Sequence, residues 1–161
     1  MPIVLFRVDE RLIHGQVVVG WGERLHADRI VVVDDEIAGS PWEQELYCLG
    51  VPPEMEASFA TVAEARRSLP VWKSEPHRRI ILVRSVEVLA AVAEGGLLGD
   101  TEVILGGLHH SAGRERVLPY LFLSTQERQT LERLAAEGVV MAARDLPGAR
   151  RVPLEELRGD A

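Results

Sequence analysis

Three short β-branched or apolar runs, Arg29 to Asp34, Ile80 to Val83 and Glu102 to Leu105, constrain this chain more than any other feature. None alternates polar with apolar residues, so each reads as a strand buried on both faces, the habit of parallel sheets covered by helices. Polar or glycine-rich residues follow each run. Between and around the runs stand helix starts with one signature: Ser40 with Glu43, Thr61 with Glu64 and Ser124 with Glu127 each match the capping box, in which two side chains satisfy orphaned amides reciprocally. The corresponding helices are expected over 41–49, 62–69 and 125–137, with Pro41 at a tolerant first position and Gly50 and Gly138 as left-handed terminators. Ser85 to Glu94 reads as a further helix, and Met55 to Phe59, Tyr120 to Leu123 and Val139 to Ala142 as weaker strands. Val71 to Arg79, bracketed by Pro70 and Pro76, reads as loop, and the polar tail after Pro147 as ending in a short helix around 154–157. The expected fold is α/β: an open, mainly parallel, doubly wound sheet with helices on both faces, in a single domain over 1–161.

Charge and cysteine content narrow the functional classes. Lys and Arg number 18 against 25 Asp and Glu, a net charge of −7, which argues against broad attraction to nucleic acid or anionic membrane. The lone Cys48 has no internal partner and sits in the apolar run Leu46 to Leu49; it is expected to be buried in a reducing compartment. The amino terminus lacks the pattern of a secretion signal, and no apolar stretch approaches the ~18 residues of a membrane span. The chain is therefore expected to be soluble and cytoplasmic. A GxxxxGK[ST] loop and a post-strand GxGxxG are both missing from the sequence, which disfavours nucleotide binding.

The chemistry concentrates at RVDERLIHGQV, positions 7–17. Pro2 to Phe6 reads as a short buried strand and Gln16 to Leu25 as an amphipathic helix, so His14 falls at a strand's carboxyl end and a helix's amino end. Ligands of open α/β sheets collect at the first, and unpaired amides at the second favour anions. A histidine that carries a phosphoryl group needs a neutral imidazole nitrogen as nucleophile and positive charge for the oxygens. Arg7 and Arg11 are the nearest cations, and an ion pair at ~4 Å, worth ~4 kcal/mol at a dielectric near 20, outweighs the ~0.3–1 kcal/mol of a helix end. A relay must also let its cargo go, so His14 is expected to be accessible and only partly surrounded by cations. Asp9 is placed either to fix the His14 tautomer or to hold an arginine. Gly15 allows close backbone approach and Gln16 offers an amide donor. Surface pairing of Arg7 and Arg11 with Asp9 or Glu10 is the plainer alternative.

Two other strand ends point toward the same edge. Asp34, with Asp35, lines the site, binds a cation, or stands in a turn with one residue capping the segment that follows; Gly106 and Gly107, with His109 and His110, allow a close approach or form a tight turn. A metal held by His109, His110 and an acid is disfavoured, because adjacent residues of an extended segment point apart, so no metal or other cofactor is expected.

The 7–17 motif with Trp21, DRIVVVDDEIA at 28–38, VILGGLHH at 103–110 and GVVMAARDLP at 138–147 together resemble the mannose/fructose/sorbose family of IIB components of the phosphoenolpyruvate-dependent sugar phosphotransferase system (PTS). The resemblance implies an open, mainly parallel sheet and a protein-phosphohistidine–sugar phosphotransferase. In such a domain the position of His14 accepts a phosphoryl group on Nδ1 from a IIA phosphohistidine and hands it to a sugar entering through membrane components IIC and IID. It also leaves self-association open, since members often associate. Two departures stand out: Glu10 where the family often has a second aspartate, and Ile104 where many members carry asparagine ahead of the Gly-Gly pair. The rival readings are a regulatory or binding module of the same fold without transport, and a receiver-like domain phosphorylated on Asp34 or Asp35.

Overall fold

The computed structural model describes residues 3–157. Seven strands form the main sheet in the order β3-β2-β4-β1-β5-β8-β9: β1 Ile3–Val8, β2 Arg29–Val33, β3 Glu56–Ala60, β4 Arg79–Val83, β5 Val103–Leu105, β8 Met141–Ala143 and β9 Val152–Pro153. All pair in parallel except β9, which runs antiparallel to β8. A separate antiparallel hairpin, β6 Arg114–Leu118 with β7 Leu121–Ser124, follows β5.

The β-branched runs lie where both faces are covered, and their side chains divide between two cores. Phe6, Val8, Val31, Val33, Ile81 and Val83 face one side, where they meet α3 Val62–Ser74, α4 Val86–Ala93 and α5 Thr125–Ala136 through Ala65, Leu69, Leu89, Leu131 and Leu134. Leu5, Ile30, Val32, Ile80, Leu82 and Ile104 face the other, against Leu12, Val17, Val18, Trp21 and Ile37. This alternation is the period-2 geometry of a strand, and it delivers the doubly wound architecture. The chain leaving β1 enters one layer, whereas the helix after neighbouring β4 enters the other. Their connections diverge at the carboxyl edge beside β1, the kind of switch point at which open α/β sheets bind ligands.

The helix that follows β1, Gln16–Glu23, is wound in π form, a wide turn that often marks a functional segment. Two short helices, α1 Asp35–Ala38 and α2 Pro41–Cys48, follow β2.

Several local expectations are corrected. The capping boxes at Thr61 and Ser124 form in full, but Ser40 makes no side-chain cap; Ser40 N donates instead to Ile37 O, and the Gln44 amide to the carbonyls of Ile37 and Ala38 fastens α1 to α2. Helix α3 runs on through Pro70 to Ser74 over part of the expected loop. Proline removes one hydrogen bond, but that last turn is anchored by Lys73, which bonds Leu97 O and Asp100, and by Trp72, which packs on the core. Gly138 is left-handed, at φ 103°, but Gly50 is not among the positive-φ glycines. Cys48 is exposed. Helix α2 buries none of its residues, because Ile37 and the π-helix already cover that part of the sheet, and Trp42, Leu46 and Leu49 face outward with it. Strand β1 reaches Val8, and Ile3 and Val4 are half-buried; Pro2 lies outside the described residues. Strands β6 and β9 had no counterpart in the sequence reading.

Candidate active site

The site begins where β1 outlasts its own ladder. Asp9 N donates to Val83 O at 2.9 Å, Gly106 N to Val8 O at 2.7 Å and Glu10 N to Gly107 O at 3.0 Å, so the loop leaves the sheet wedged between the ends of β4 and β5. A turn then closes from Leu12 N to Asp9 O at 3.0 Å. Leu12 takes φ 56°, a left-handed conformation costing a leucine about 1–2 kcal/mol. Its fully buried side chain holds it there. The reversal brings residues 11–16 back over Asp9, and the His14 carbonyl accepts from both Val17 N and Val18 N at 3.0 Å.

Asp9 is the hub. It is fully buried, and its carboxylate accepts from Arg7 Nε at 3.3 Å, Arg11 Nε at 3.2 Å, Arg11 Nη2 at 3.2 Å, Arg11 N at 3.1 Å and Gly107 N at 3.3 Å. His14 Nε2 lies 3.3 Å from Asp9 Oδ2. Both roles left open for Asp9 are therefore present at once: it faces the histidine and it holds arginines. Burial alone pushes its carboxyl up, but the bonds from His14 and Arg11 and the charge of Arg7 outweigh burial and hold it well below the usual carboxylate range. An ionised carboxylate can only accept, so this contact is a hydrogen bond in the tautomer that carries its proton on Nε2.

The two arginines separate. Arg11 is one-third exposed and shares Nη2 between Asp9 and Gln16 Oε1, the latter at 2.9 Å. Arg7, expected beside the phosphoryl oxygens, is wholly buried under the loop. Besides Asp9 it donates to Arg144 O at 2.7 Å and Asp145 O at 3.0 Å, and it lies over the Trp21 ring at 5.4 Å. Its charge reaches the site through Asp9. His14 is half-buried, its side chain 16% exposed, and Gly15 is exposed, with open space where a Cβ would stand.

Gly106 and Gly107 serve as close-approach positions. A Cβ on Gly106 would stand 2.4 Å from the Arg7 guanidinium, and one on Gly107 3.1 Å from that of Arg11. Asp34 does something else. Its carboxylate caps α1 through Glu36 N and Ile37 N and binds Arg84 through two donors at 2.6 and 2.8 Å, and it bonds to none of the residues around His14 among the described contacts. Asp35 accepts from Val62 N at 2.7 Å. Asp34 thus caps the segment after its strand, whereas Asp35 reaches the start of α3 instead. His109 faces Glu10, whereas His110 meets Phe122 edge-on at 5.6 Å, so the two rings point apart.

Sequence reasoning missed the outer partners. Glu10 bonds His109 N and pairs with Arg114, which grips buried Glu127 at 2.9 and 3.0 Å and so ties the site loop to the hairpin and α5. Ile104 is buried in the apolar core. The backbone of 107–109 is held to the site loop by Asp9 and Glu10. Arg144 and Asp145 follow β8 at the same sheet edge; they fall inside the 138–147 segment singled out in the sequence, but nothing there aimed their carbonyls at Arg7.

Fold and constellation define a class: an open α/β domain that presents one histidine over a buried, arginine-held carboxylate at the carboxyl edge of its sheet. The profile of the PTS system sorbose subfamily IIB component matches residues 3–161. The N-acetylgalactosamine-specific phosphotransferase enzyme IIB component 1 of Escherichia coli K12 is 31% identical over 92% of this chain and 94% of its own length. The fructose-specific EIIB component of Bacillus subtilis 168 is 29% identical, over 91% and 90% respectively. Among solved structures, the E. coli N-acetylgalactosamine-specific IIB component 1 superposes with a TM-score of 0.78 at 28% identity, covering 93% of this chain and 97% of that one. An N-acetylgalactosamine IIB component from Streptococcus pyogenes reaches 0.86 at 23% identity, over 97% of each chain, which speaks for the fold. The chain belongs to the sorbose subfamily of PTS IIB components, sugar-specific components of a system whose general role is phosphoryl transfer. Among the described residues, no helix is long and apolar enough to cross a membrane.

Proposed function

We propose that this chain is the cytoplasmic phosphocarrier of a sugar phosphotransferase system, and that His14 carries the phosphoryl group. The observation that bears most weight is His14 Nε2 at 3.3 Å from buried Asp9. With Nε2–H held by a carboxylate, Nδ1 is the nucleophile. Its lone pair attacks the phosphorus of a IIA phosphohistidine; the donor's P–N bond breaks, its electron pair returns to the donor imidazole, and a new P–N bond forms on His14. The His14 ring gains positive charge in that step, and Asp9 stands beside it to stabilise that charge. Arg11 and the amides at the start of the π-helix are the groups available to the phosphoryl oxygens. Because Asp9 engages Arg11 and already neutralises part of its charge, the phosphoryl group is held without being trapped. In the second half-reaction a sugar hydroxyl, delivered through IIC and IID, attacks the same phosphorus; the P–N bond breaks, its electron pair returns to Nδ1 of His14, and the hydroxyl proton passes to solvent.

The supporting relatives include a mannose-specific EIIAB component of E. coli K12, 28% identical over 98% of this chain and 48% of its own length, in which the name itself joins a IIA to a IIB. The test is to incubate the chain with phosphoenolpyruvate, the two general transfer proteins and a matching IIA, and to map the label. Acid-labile, alkali-stable label on His14, absent from His14→Ala, is expected. Label that persists in His14→Ala, or that hydroxylamine removes, overturns the reading in favour of another acceptor such as an aspartate.

A further inference from the structure

We infer that Trp21 is a positioning residue for transfer at His14, acting through Arg7 and Asp9 from beneath the loop; the inference rests on the role proposed for that histidine. Trp21 is 5% exposed, packed in the core beneath the loop. Two guanidiniums lie over its ring, Arg7 at 5.4 Å and Arg144 at 5.8 Å. Its Nε1 donates to Asp145 O at 3.0 Å, the same carbonyl that accepts from Arg7 Nη2 at 3.0 Å. The indole and the 144–145 backbone thus fix three sides of Arg7, and the fourth, Nε, is aimed at Asp9 Oδ2 at 3.3 Å. That oxygen is also the one 3.3 Å from His14 Nε2.

A buried arginine with no such frame has rotamers to spare and an expensive charge to satisfy. The frame removes both freedoms. It also ties the orientation of Asp9 to the 144–149 loop after β8, which is pressed on the π-helix so closely that a Cβ on Gly20 would stand 3.0 Å from Leu146. Loosening Trp21 lets Arg7 swing between Asp9 and the carbonyls, and Asp9 then holds the Nε2 proton less firmly. The consequence is a smaller share of the reactive tautomer, with the docking surface untouched.

The chain offers its own control. Trp72 lies under Arg79 at 5.1 Å, at the opposite edge of the sheet. Trp21→Leu, Trp21→Phe and Trp72→Leu in the full chain are compared by histidine ¹⁵N NMR before phosphorylation, by single-turnover transfer from phosphorylated IIA, and by thermal unfolding. Trp21→Leu is expected to lower the transfer rate about tenfold, the scale of one lost buried cation–π contact, with KM for the donor unchanged and less Nε2–H tautomer. Trp21→Phe recovers most of both. Trp72→Leu lowers Tm and moves neither. The inference is overturned if folded Trp21→Leu keeps the parental tautomer and rate, or if Trp72→Leu slows transfer as much for the same loss of stability. Should Trp21→Leu not fold, the double variant Trp21→Phe/Arg144→Met, which loses both the Nε1 bond and one stacked cation, is expected to fall below Trp21→Phe alone in rate and in Nε2–H tautomer, and parental values for both overturn the inference. Failure of the His14 assignment shows separately, as absence of His14-dependent label in the parent, and leaves the tautomer measurement to decide the role of Trp21.

Discussion

Arg7 and Arg79 are both buried, both on central strands, and both stacked on a tryptophan, yet they serve the molecule differently. Arg79 starts β4 at the amino edge of the sheet. Its Nη1 binds Glu75, four residues back, at 2.8 Å, and its Nε finds no partner among the described residues. Arg7 sits near the carboxyl end of β1, and Nε, Nη1 and Nη2 each have an acceptor, two of them far along the chain. At the amino edge an incompletely satisfied arginine is tolerated because a long aliphatic stem still packs. At the carboxyl edge the arginine is over-determined, as expected where a carboxylate must hold one orientation.

The largest expected effect in breaking this comparison is Arg7→Met. It leaves Asp9 buried without one of its partners, and truncating one member of a buried pair costs about 3–5 kcal/mol; urea denaturation should show a loss of that order together with impaired transfer. Gly106→Ala comes next. The new Cβ would stand 2.4 Å from a guanidinium that has no room to move, so an overpacking loss of about 1–3 kcal/mol is expected, checked by the same denaturation with a transfer assay.

A pH series sharpens the contrast. The folded-state pKa values of Asp9 and Asp34 are both lowered; in each case burial opposes the shift and is outweighed, by His14 and Arg11 at Asp9 and by Arg84 and backbone amides at Asp34. Below about pH 3.9 the unfolded carboxylates bind protons that the folded ones refuse. Their stabilisation is present above that pH and is lost as pH falls through the lowered folded-state values. Arg7→Met removes one cause of the Asp9 shift, so its stability should fall less steeply with acid than the parent's. The smallest effect is Arg79→Met, expected within about 1 kcal/mol of the parent, since Glu75 is one-third exposed and half-solvated pairs contribute little. A loss comparable to that of Arg7→Met would erase the distinction between the two edges.

The sheet, the Thr61 and Ser124 caps and the histidine loop could be read directly, because each is announced by residues within a few positions of one another. Ser40 carried the same signal and failed. There the short helix α1 fixes its backbone first, and the Gln44 amide and Ile37 carbonyl take over the joint. Pro70 misled for the complementary reason: one missing amide is outweighed by the contacts of Trp72 and Lys73, residues whose partners lie elsewhere in the chain. Within the site, Asp9, Arg11, His14 and Gln16 come together because they share one loop. Arg7 was legible as a cation but not as a buried one.

Local order in this chain follows from short-range rules: β-branched runs extend, capped segments coil, and a glycine follows the histidine where a helix must begin. Those rules suffice for an open α/β sheet and for a histidine at its edge. They cannot say which of two arginines faces water, because the acceptors that draw Arg7 inward lie 137 and 138 residues away, and the amide that completes Asp9 lies 98 residues away. Charge is settled by proximity in space and by the removal of water. Both exist only once β5 and β8 have closed beside β1.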